Sequence, residues 1–225
     1  MRYYDIHTHH KPIHTEDVAI VNTIVAPAGI IPAHIPAADV QLSANSLKSA
    51  GIHPLYVYDI KKQLIELERL LTHPEMVAIG ECGLDKRAET PMDVQRFLLE
   101  QQVLLAEKLQ RFLIIHCVKA WPELIVTRKK IIPSVPWAVH GFRGNGELAR
   151  QLLKQNFYLS FGAYFNPEAV RAAWPDRLLA ETDDKEIDIR SVYACLADTL
   201  SLPVGRLALQ IEKNVRALSP AFEKE

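Results

Sequence analysis

The chain lacks the cysteine pattern of a disulfide-stabilised protein or a zinc ribbon. Its 225 residues include three cysteines, an odd number without Cys-x-x-Cys spacing: Cys82, Cys117 and Cys195. It also lacks an apolar run long enough to cross a bilayer, and its first residues lack the apolar core and cleavage site of a signal peptide. These absences predict reduced thiols, no membrane partner and a cytoplasmic location.

A basic excess is missing as well. The 26 lysines and arginines are balanced by 27 aspartates and glutamates, giving a formal net charge of −1. Proteins that grip duplex nucleic acid through many phosphates usually carry a strong basic excess, so any nucleic-acid contact here has to be local. No repeat or Gly/Ser-rich linker divides the chain, which predicts one domain over residues 1–225 without an obligate protein partner.

The sequence does contain a repeated alternation of short apolar runs and helix-period stretches. This alternation is typical of βα units and a parallel sheet. Eight strands, enough for a TIM-type β/α barrel of the α/β class, are predicted at Tyr3–His7, Ala19–Val25, Leu47–Ile52, Met76–Gly80, Phe112–His116, Trp137–His140, Phe157–Ser160 and Leu178–Glu181.

The predicted helices cover the sheet from residue 60 onward. Those between strands are Ile60–Leu71, Met92–Gln110, Trp121–Lys130, Asn145–Gln155 and Pro167–Ala173. Two further helices, Ile187–Thr199 and Val204–Leu218, have no strand after them and are expected to pack outside the barrel. Prolines crowd the region between the first and third strands, which predicts a distorted barrel whose first two crossovers are reduced to loops: Pro12, Pro27, Pro32 and Pro36.

Six residues of metal-ligand type fall at strand ends. His7 and His9 share one side of the first strand because side chains alternate along a strand, although chance gives roughly 0.4 His-x-His pairs in such a chain. The other four each follow a different predicted strand: Glu81, His116, His140 and Asp183. Barrel active sites lie at these strand ends, and burying several ionisable groups together calls for a cation, so the six predict a metal centre.

Several segments resemble, in order, the signatures of the TatD family of metal-dependent hydrolases. The segments are Asp5–His9, Gly51–Pro54, Ala78–Asp85, Ile115–His116, Val139–Phe142 and Leu178–Asp183. The resemblance implies a barrel related to the amidohydrolases and a deoxyribonuclease of exonuclease type that uses metal-activated water. It implies one or two divalent ions, zinc, manganese or magnesium.

The resemblance also implies roles for the six residues. His7 and His9 with Asp183 resemble the ligands of one ion, and His116 with His140 those of a second. Glu81 resembles the catalytic carboxylate that bridges both ions. Asp183 is the candidate general base, and a role as ligand alone stays open.

The chain departs from the family pattern where a phosphate would bind. The family commonly has an arginine at the position of Val118, whereas here Lys119 follows one place later. Arg143 introduces a cation after His140 and could replace that arginine, or could be a solvent-facing loop charge. We expect Lys119, Arg143 and His53 to contact substrate, and His53 could instead support a ligand.

Neighbouring residues are assigned supporting or structural roles. Asp5 is expected to lie beneath the metal, and Asp85, on the loop after Glu81, could orient a histidine, pair with a cation or cap a helix. Cys82 and Cys117 are expected to pack in the core. Four further histidines are expected at the surface: His10, His14, His34 and His73.

Three functions remain open at this stage. The first is cleavage of DNA phosphodiester bonds, and the second is hydrolysis of a small amide, lactone or phosphate ester by the same metals. The third is a non-catalytic binding module stabilised by metal. If the opening of the barrel, its mouth, is lined by cations, a phosphate substrate is favoured; the candidate cations are Lys86, Arg87, Lys119 and Arg143. An apolar mouth favours a neutral substrate.

Overall fold

Eight parallel strands form one sheet in chain order, in a computed structural model that describes residues 1–26 and 46–222. The strands are β1 (Tyr4–Thr8), β2 (Val18–Ile24), β3 (Ser46–Gly51), β4 (Met76–Asp85), β5 (Phe112–Val118), β6 (Trp137–Val139), β7 (Phe157–Phe161) and β8 (Leu178–Ala180). A parallel bridge between Thr8 and Asp183 joins the end of β1 to the segment after β8. The sheet is therefore a nearly closed barrel, as the sequence predicts.

Seven α-helices accompany the strands in the described part of the chain. They are α1 (Ile60–Leu70), α2 (Met92–Leu109), α3 (Trp121–Ile131), α4 (Gly146–Leu153), α5 (Pro167–Ala173), α6 (Ile189–Thr199) and α7 (Val204–Arg216), and a short 3₁₀ helix (Pro220–Phe222) follows. The predicted bounds of all strands and helices lie within two residues of these, except the end of β4.

The first crossover is reduced to a loop, as predicted. Residues 9–17, between β1 and β2, contain only turns and bends. The buried Asp17 carboxylate accepts a hydrogen bond from the backbone N of Tyr3 at 3.1 Å, which ties this loop to the start of β1. The second crossover, with Pro27, Pro32, Pro36 and His34, lies outside the described residues, so those expectations remain predictions.

The predicted end of β4 at Gly80 is wrong, because the strand continues to Asp85. Residues 82–85 pair with residues 115–118 of β5, and all ten residues of β4 are buried. Gly83 permits this pairing, since a Cβ there would lie 1.9 Å from the carbonyl oxygen of His116. Asp85 therefore belongs to a strand and not to the predicted loop.

The two C-terminal helices pack outside the barrel, as predicted. The Tyr193 hydroxyl on α6 accepts from the backbone N of Tyr4 and donates to its carbonyl oxygen, at 3.1 and 3.0 Å. Asn214 on α7 donates through Nδ2 to the carbonyls of Pro175 and Leu178 at 2.7 and 2.9 Å. These side chains hydrogen-bond backbone groups of β1, of β8 and of the segment before β8, and so tie the two helices to the barrel.

Within the described residues, no helix is by itself long and apolar enough to span a membrane. The pair formed by α6 and α7 meets the requirements of length and composition together, with a bend of 107° between the two helices. The prediction that residues 1–225 form one domain stays a prediction.

Candidate metal centre

The structure brings the six predicted ligands together at the carboxyl end of the barrel. They come from or directly follow five strands: β1 (His7, His9), β4 (Glu81), β5 (His116), β6 (His140) and β8 (Asp183). His7, His9, Glu81 and His140 are buried, and His116 and Asp183 are partly buried. Strands that are distant in sequence thus deliver one compact set of side chains, as in other β/α barrels.

Glu81 lies at the centre of this set. Its Oε1 is 3.4 Å from Nε2 of His7 and 3.3 Å from Nε2 of His9. Its Oε2 is 3.0 Å from Nε2 of His140, 3.7 Å from Nδ1 of His116 and 3.6 Å from Nε2 of His53. The two oxygens of one carboxylate therefore face two different groups of imidazoles, which is the arrangement of a bridging ligand.

Three groups of donor atoms among the described residues are compact enough to hold an ion. Within each group the donor atoms lie within 4.8 Å of one another, and the groups are His7, His140 and Asp183, then His7, His9 and Glu81, then His53, Glu81 and His116. The sequence favoured a substrate or supporting role for His53. Its position beside Glu81 and His116 makes it an additional candidate ligand.

Unsatisfied nitrogen atoms indicate that this donor set fits a metal ion. Both ring nitrogens of His7, and Nδ1 of His9 and of His140, are buried without a hydrogen-bond partner. Buried polar side-chain atoms normally have such a partner, and a neutral imidazole is a common ligand of zinc and other transition metals. Nε2 of His7, which faces the carboxylates of Glu81 and Asp183 at 3.4 and 3.5 Å, is the unpaired nitrogen that a divalent cation in this set would engage.

The charges of the cluster are strongly coupled. Burial lowers the pKa of His7, but the Glu81 charge and a bond to Asp183 outweigh burial and raise it to about 9. Burial likewise lowers the pKa of His140, but the charges of Glu81 and Glu181 outweigh burial and raise this pKa well above its usual range. Burial would raise the pKa of Glu81, but the His7 and His140 charges hold it well below normal. Bound cations would displace the imidazole protons that balance these carboxylates.

Asn22 and Ser49 support Glu81 from β2 and β3. Asn22 donates through Nδ2 to Glu81 Oε1 at 2.8 Å, and its Oδ1 accepts from the backbone N of Glu81 at 2.9 Å. Ser49 Oγ donates to the same Oδ1 at 3.0 Å. Sequence reasoning missed both residues, although a polar residue inside the apolar run of β2 was a usable signal.

Asp85 orients a histidine, which was one of the three roles considered for it. Its Oδ2 lies 3.0 Å from Nε2 of His116, and its Oδ1 accepts from the backbone N of Arg87 at 2.7 Å. Burial raises its pKa, but these hydrogen bonds lower it below the usual range. It does not cap α2, whose N-cap position is Pro91.

Asp5 contacts the backbone of the cluster and not an imidazole ring. Its Oδ1 accepts from the backbone N of His7 at 3.3 Å and of Thr182 at 3.1 Å, and Oδ2 accepts from Thr182 Oγ1 at 2.6 Å. Burial raises its pKa to about 7. Asp5 thus ties β1 to the segment after β8 and fixes where His7 and Asp183 lie.

Glu181 is a further residue without an assigned role in the sequence argument. Its Oε1 accepts from the backbone N of Gly141 at 2.6 Å and lies 3.6 Å from Nδ1 of His140. The side chain is fully buried, so its charge acts directly on the imidazole of His140. Glu181 therefore supports His140 from the side opposite Glu81.

The four cations predicted at the mouth fall into two classes. Lys86 is paired with Glu123 at 2.6 Å, and Arg87 lies 3.4 Å from Asp85. Lys119 and Arg143 are exposed, and in the described part of the chain neither forms an ion pair. Two cations of the four therefore stay available for an anionic substrate.

The remaining predicted positions agree with the structure in part, because two of the histidines expected at the surface are partly buried. Cys82 is fully buried and Cys117 packs partly buried against the core. His73 is exposed, whereas His10 and His14 are partly buried outside the cluster; His14 lies 2.8 Å from the Asp188 carboxylate. None of these three histidines contributes to the donor groups found in the described residues.

A cavity of about 350 Å³ lies beside the centre, between the β1–β2 connection and the segment after β8. Its lining includes Asp5, Asp17, Ile13, Ile187 and Lys185 but none of the six predicted ligands. The donor cluster therefore marks the candidate functional site, and the cavity is a separate feature.

Comparison with known proteins finds one matching family model and several curated relatives. The family model described as TatD related DNase matches residues 5–219. An uncharacterized metal-dependent hydrolase, YabD, from Bacillus subtilis is 35% identical over 143 residues, which cover 59% of this chain and 56% of that protein. A 3'-5' ssDNA/RNA exonuclease TatD from Cronobacter turicensis is 33% identical over 155 residues, covering 62% and 57%. The chain thus spans little more than half the length of these curated relatives.

Solved structures share the fold over nearly the whole chain. The TatD homologue YjjV from Escherichia coli K12 superposes with a TM-score of 0.77 at 21% identity, covering 97% of this chain and 98% of that one. A hydrolase of the TatD family from Entamoeba histolytica gives a TM-score of 0.72 at 16% identity, covering 96% and 97%. These likenesses concern the fold alone.

Proposed function

The chain belongs to the TatD related DNase family, whose model matches residues 5–219, and on this premise we propose that it hydrolyses phosphodiester bonds of DNA. The observation that carries the proposal is the placement of Glu81 between two groups of imidazoles, with its Oε1 facing one group and its Oε2 the other. Two relatives named as an exonuclease and a deoxyribonuclease support the substrate class.

One or two divalent ions, zinc, manganese or magnesium, are part of this proposal. His7, His9 and Asp183 would hold one ion, His116 and His140 the other, and Glu81 would contact both. Such ions polarise a phosphoryl oxygen and lower the pKa of a water molecule. Four imidazoles in the set favour a transition metal over magnesium.

Asp183 is the residue best placed to accept a proton from the attacking water. Its side chain is 23% exposed, whereas that of Glu81 is 5% exposed, so Asp183 is the carboxylate that reaches solvent. Its backbone is fixed by hydrogen bonds from its own N to the His7 carbonyl and from the His9 N to its carbonyl, both at 3.0 Å. A general base has to lie within hydrogen-bond reach of its proton donor, and a fixed backbone would hold the Asp183 carboxylate in one position relative to an ion bound by His7 and His9.

Arg143 and Lys119 would bind the phosphate. Both are exposed and free of ion pairs in the described chain, and Arg143 lines one hollow with Asp183. Small phosphate esters are the second candidate substrate, because Lys86 and Arg87 are already paired with carboxylates and leave only a small cationic surface. A cytoplasmic location stays part of the proposal on the sequence argument alone.

The test compares metal-reconstituted wild type with His116→Ala and Asp183→Asn on single-stranded DNA and on bis(4-nitrophenyl) phosphate. We expect both variants to lose at least 100-fold in kcat/KM on each substrate that the wild type cleaves, a loss typical of removing one acid–base group or ligand. His73→Ala, at an exposed histidine outside the cluster, is the matched control. Equal rates for all four proteins would refute the proposed site, and cleavage of the small ester without DNA cleavage would favour the second candidate.

A further inference from the structure

An exposed aromatic ring lies on a rigid segment beside the metal centre. Tyr164, between β7 and α5, is 63% exposed. Its neighbour Phe165 packs against Phe161 with ring centroids 6.4 Å apart, and Asn166 caps α5 by accepting from the backbone N of Glu168 at 2.9 Å. The backbone on either side is therefore fixed, while the Tyr164 ring itself is offered to solvent.

This ring adjoins the residues that carry the proposed chemistry. Tyr164, Arg143 and Asp183 line the same hollow, with glycines at positions 141 and 162 in its wall. The hollow has a volume of about 10 Å³, which is room for roughly one water molecule. A nucleobase is larger than this hollow, and Tyr164 is one of the residues that line it.

A cation accompanies the ring. The guanidinium carbon of Arg143 lies 5.6 Å from the centroid of Tyr164, within the range of a cation–π contact. The neighbouring Lys185 is engaged with Asp184 at 3.2 Å, whereas Arg143 forms no ion pair in the described part of the chain. The N–H groups of Arg143 can therefore donate hydrogen bonds to an anion while the guanidinium plane stays beside the Tyr164 ring.

We propose that Tyr164 and Arg143 form a nucleotide subsite at the edge of the metal centre, in which the ring stacks on a nucleobase and the guanidinium binds the adjacent phosphate. The proposal rests on the proposed function and assigns to Tyr164 and Arg143 the binding of one nucleotide of that substrate. An aromatic ring with a nearby cation is the usual combination in proteins that bind single strands, because every base offers a flat face and every link a phosphate.

The proposed subsite would be reached more readily by a base at the end of a strand than by a base inside a duplex. A base inside a duplex is stacked on both faces and paired at its edge, so reaching Tyr164 costs the energy of unstacking and unpairing. A base at the end of a single strand avoids most of that cost. The hollow next to Asp183 is too small for the base itself, so the base stays outside while its phosphate approaches the centre.

The experiment measures both binding and turnover. Fluorescein-labelled pentathymidylate binding is followed by anisotropy, and its cleavage is compared with that of bis(4-nitrophenyl) phosphate, which has no nucleobase. For Tyr164→Ala we expect a rise of roughly 5- to 100-fold in Kd for the oligonucleotide, the range of one lost stacked base. The ratio of kcat/KM for the oligonucleotide to that for the ester should fall by a similar factor.

Two controls make the result specific. Tyr164→Phe keeps the ring and should retain wild-type affinity, and Phe97→Ala removes an exposed aromatic from the distant helix α2. Two further probes are pentathymidylates with an abasic site at the 5′ end or at the 3′ end. The probe that lacks the base at the end occupying the subsite should bind wild type and Tyr164→Ala with equal affinity. A blunt duplex should bind wild type more weakly than the single strand.

Unchanged oligonucleotide affinity in Tyr164→Ala would overturn the subsite, as would an equal loss on the ester and the oligonucleotide. Failure of the proposed function looks different. In that case no phosphodiester is cleaved by metal-loaded wild type, while the anisotropy comparison of wild type with Tyr164→Ala still decides whether Tyr164 binds a base.

Discussion

Asn22 holds Glu81 at two points, because its Nδ2 donates to Glu81 Oε1 at 2.8 Å and its Oδ1 accepts from the Glu81 backbone N at 2.9 Å. The amide occupies one lone pair of the oxygen that also faces His7 and His9. Glu81 is thereby fixed in rotation, and its other oxygen, Oε2, points to the second group of imidazoles. A residue that orients a metal ligand in this way commonly has a large effect on metal affinity, although it does not itself contact the ion.

Replacing Asn22 should therefore weaken metal binding. For Asn22→Ala we expect an affinity for Mn²⁺ that is roughly 10- to 100-fold lower, measured by titration calorimetry on chelator-treated protein. Loss of buried hydrogen bonds should also lower the free energy of unfolding by about 1–3 kcal/mol. Asn145→Ala is the matched control, because it removes the exposed cap of α4, costs about 1 kcal/mol and leaves the centre intact. Equal Mn²⁺ affinity in both variants would show that Asn22 does not position Glu81.

Asp183→Asn separates the two roles considered for Asp183. Asp183 has a φ of 57°, a left-handed conformation that asparagine tolerates, so the variant should keep the backbone. A general base predicts kcat lower by about 10²- to 10⁴-fold with an unchanged number of bound ions. Elemental analysis of the reconstituted variant provides that number. Loss of one ion per chain would instead identify Asp183 as a ligand only. Asp184→Asn, at its exposed neighbour, is the control.

Divalent ions should stabilise the fold through the cluster. Nε2 of His7 is buried without a hydrogen-bond partner and faces Glu81 and Asp183, so the metal-free protein carries a cost there that ion binding would remove. At a free ion concentration of 100 Kd, binding adds about 2.7 kcal/mol. For a chain of this size the melting temperature should rise by roughly 5–10 °C. Differential scanning fluorimetry should show this rise in His73→Ala and not in His7→Ala, and a similar rise in both variants would place the bound ion elsewhere.

Arg143 should contribute its charge to substrate binding. Arg143→Ala is expected to lower kcat/KM on pentathymidylate about tenfold and to reduce the dependence of binding on salt by about one phosphate contact. Arg143→Lys should recover part of the loss, since a lysine keeps the charge but not the planar fork. Lys154→Ala, an exposed lysine beyond the end of α4, is the control. A change in kcat/KM below twofold would make Arg143 a solvent-facing loop charge.

The sequence predicted the eight strands because strands buried on both faces give nearly continuous apolar runs. The same signal failed at the end of β4. Glu81, Gly83 and Asp85 interrupt the apolar run there, yet the strand continues because Gly83 lets the backbones of β4 and β5 approach closely. That approach depends on His116 of β5, which lies 33 residues after Gly83 and outside any local periodicity.

The candidate ligands were predictable because each follows a strand, and the ends of parallel strands meet at one edge. The distances between these side chains were not predictable from the sequence. His53 also follows a strand, and only the folded chain reveals that its Nε2 lies 3.6 Å from Glu81. Asn22 and Ser49 were missed because each lies beside another polar residue of its predicted strand, Thr23 and Lys48, and so does not stand out. That Ser49 contacts Asn22, and Asn22 contacts Glu81 on β4, is apparent only in three dimensions.

The docking of α6 against β1 offers a test of stability that leaves the metal centre untouched. The Tyr193 hydroxyl satisfies both the backbone N and the carbonyl oxygen of Tyr4, in a fully buried position. Tyr193→Phe keeps the ring but leaves two buried backbone groups unpaired, so we expect urea unfolding to report a loss of about 1–3 kcal/mol. Tyr58→Phe, at an exposed tyrosine, should change the free energy of unfolding by less than about 0.5 kcal/mol. If the two variants unfold at the same urea concentration, α6 is held by its apolar contacts alone, and the hydroxyl contributes nothing to closing the outer layer over β1.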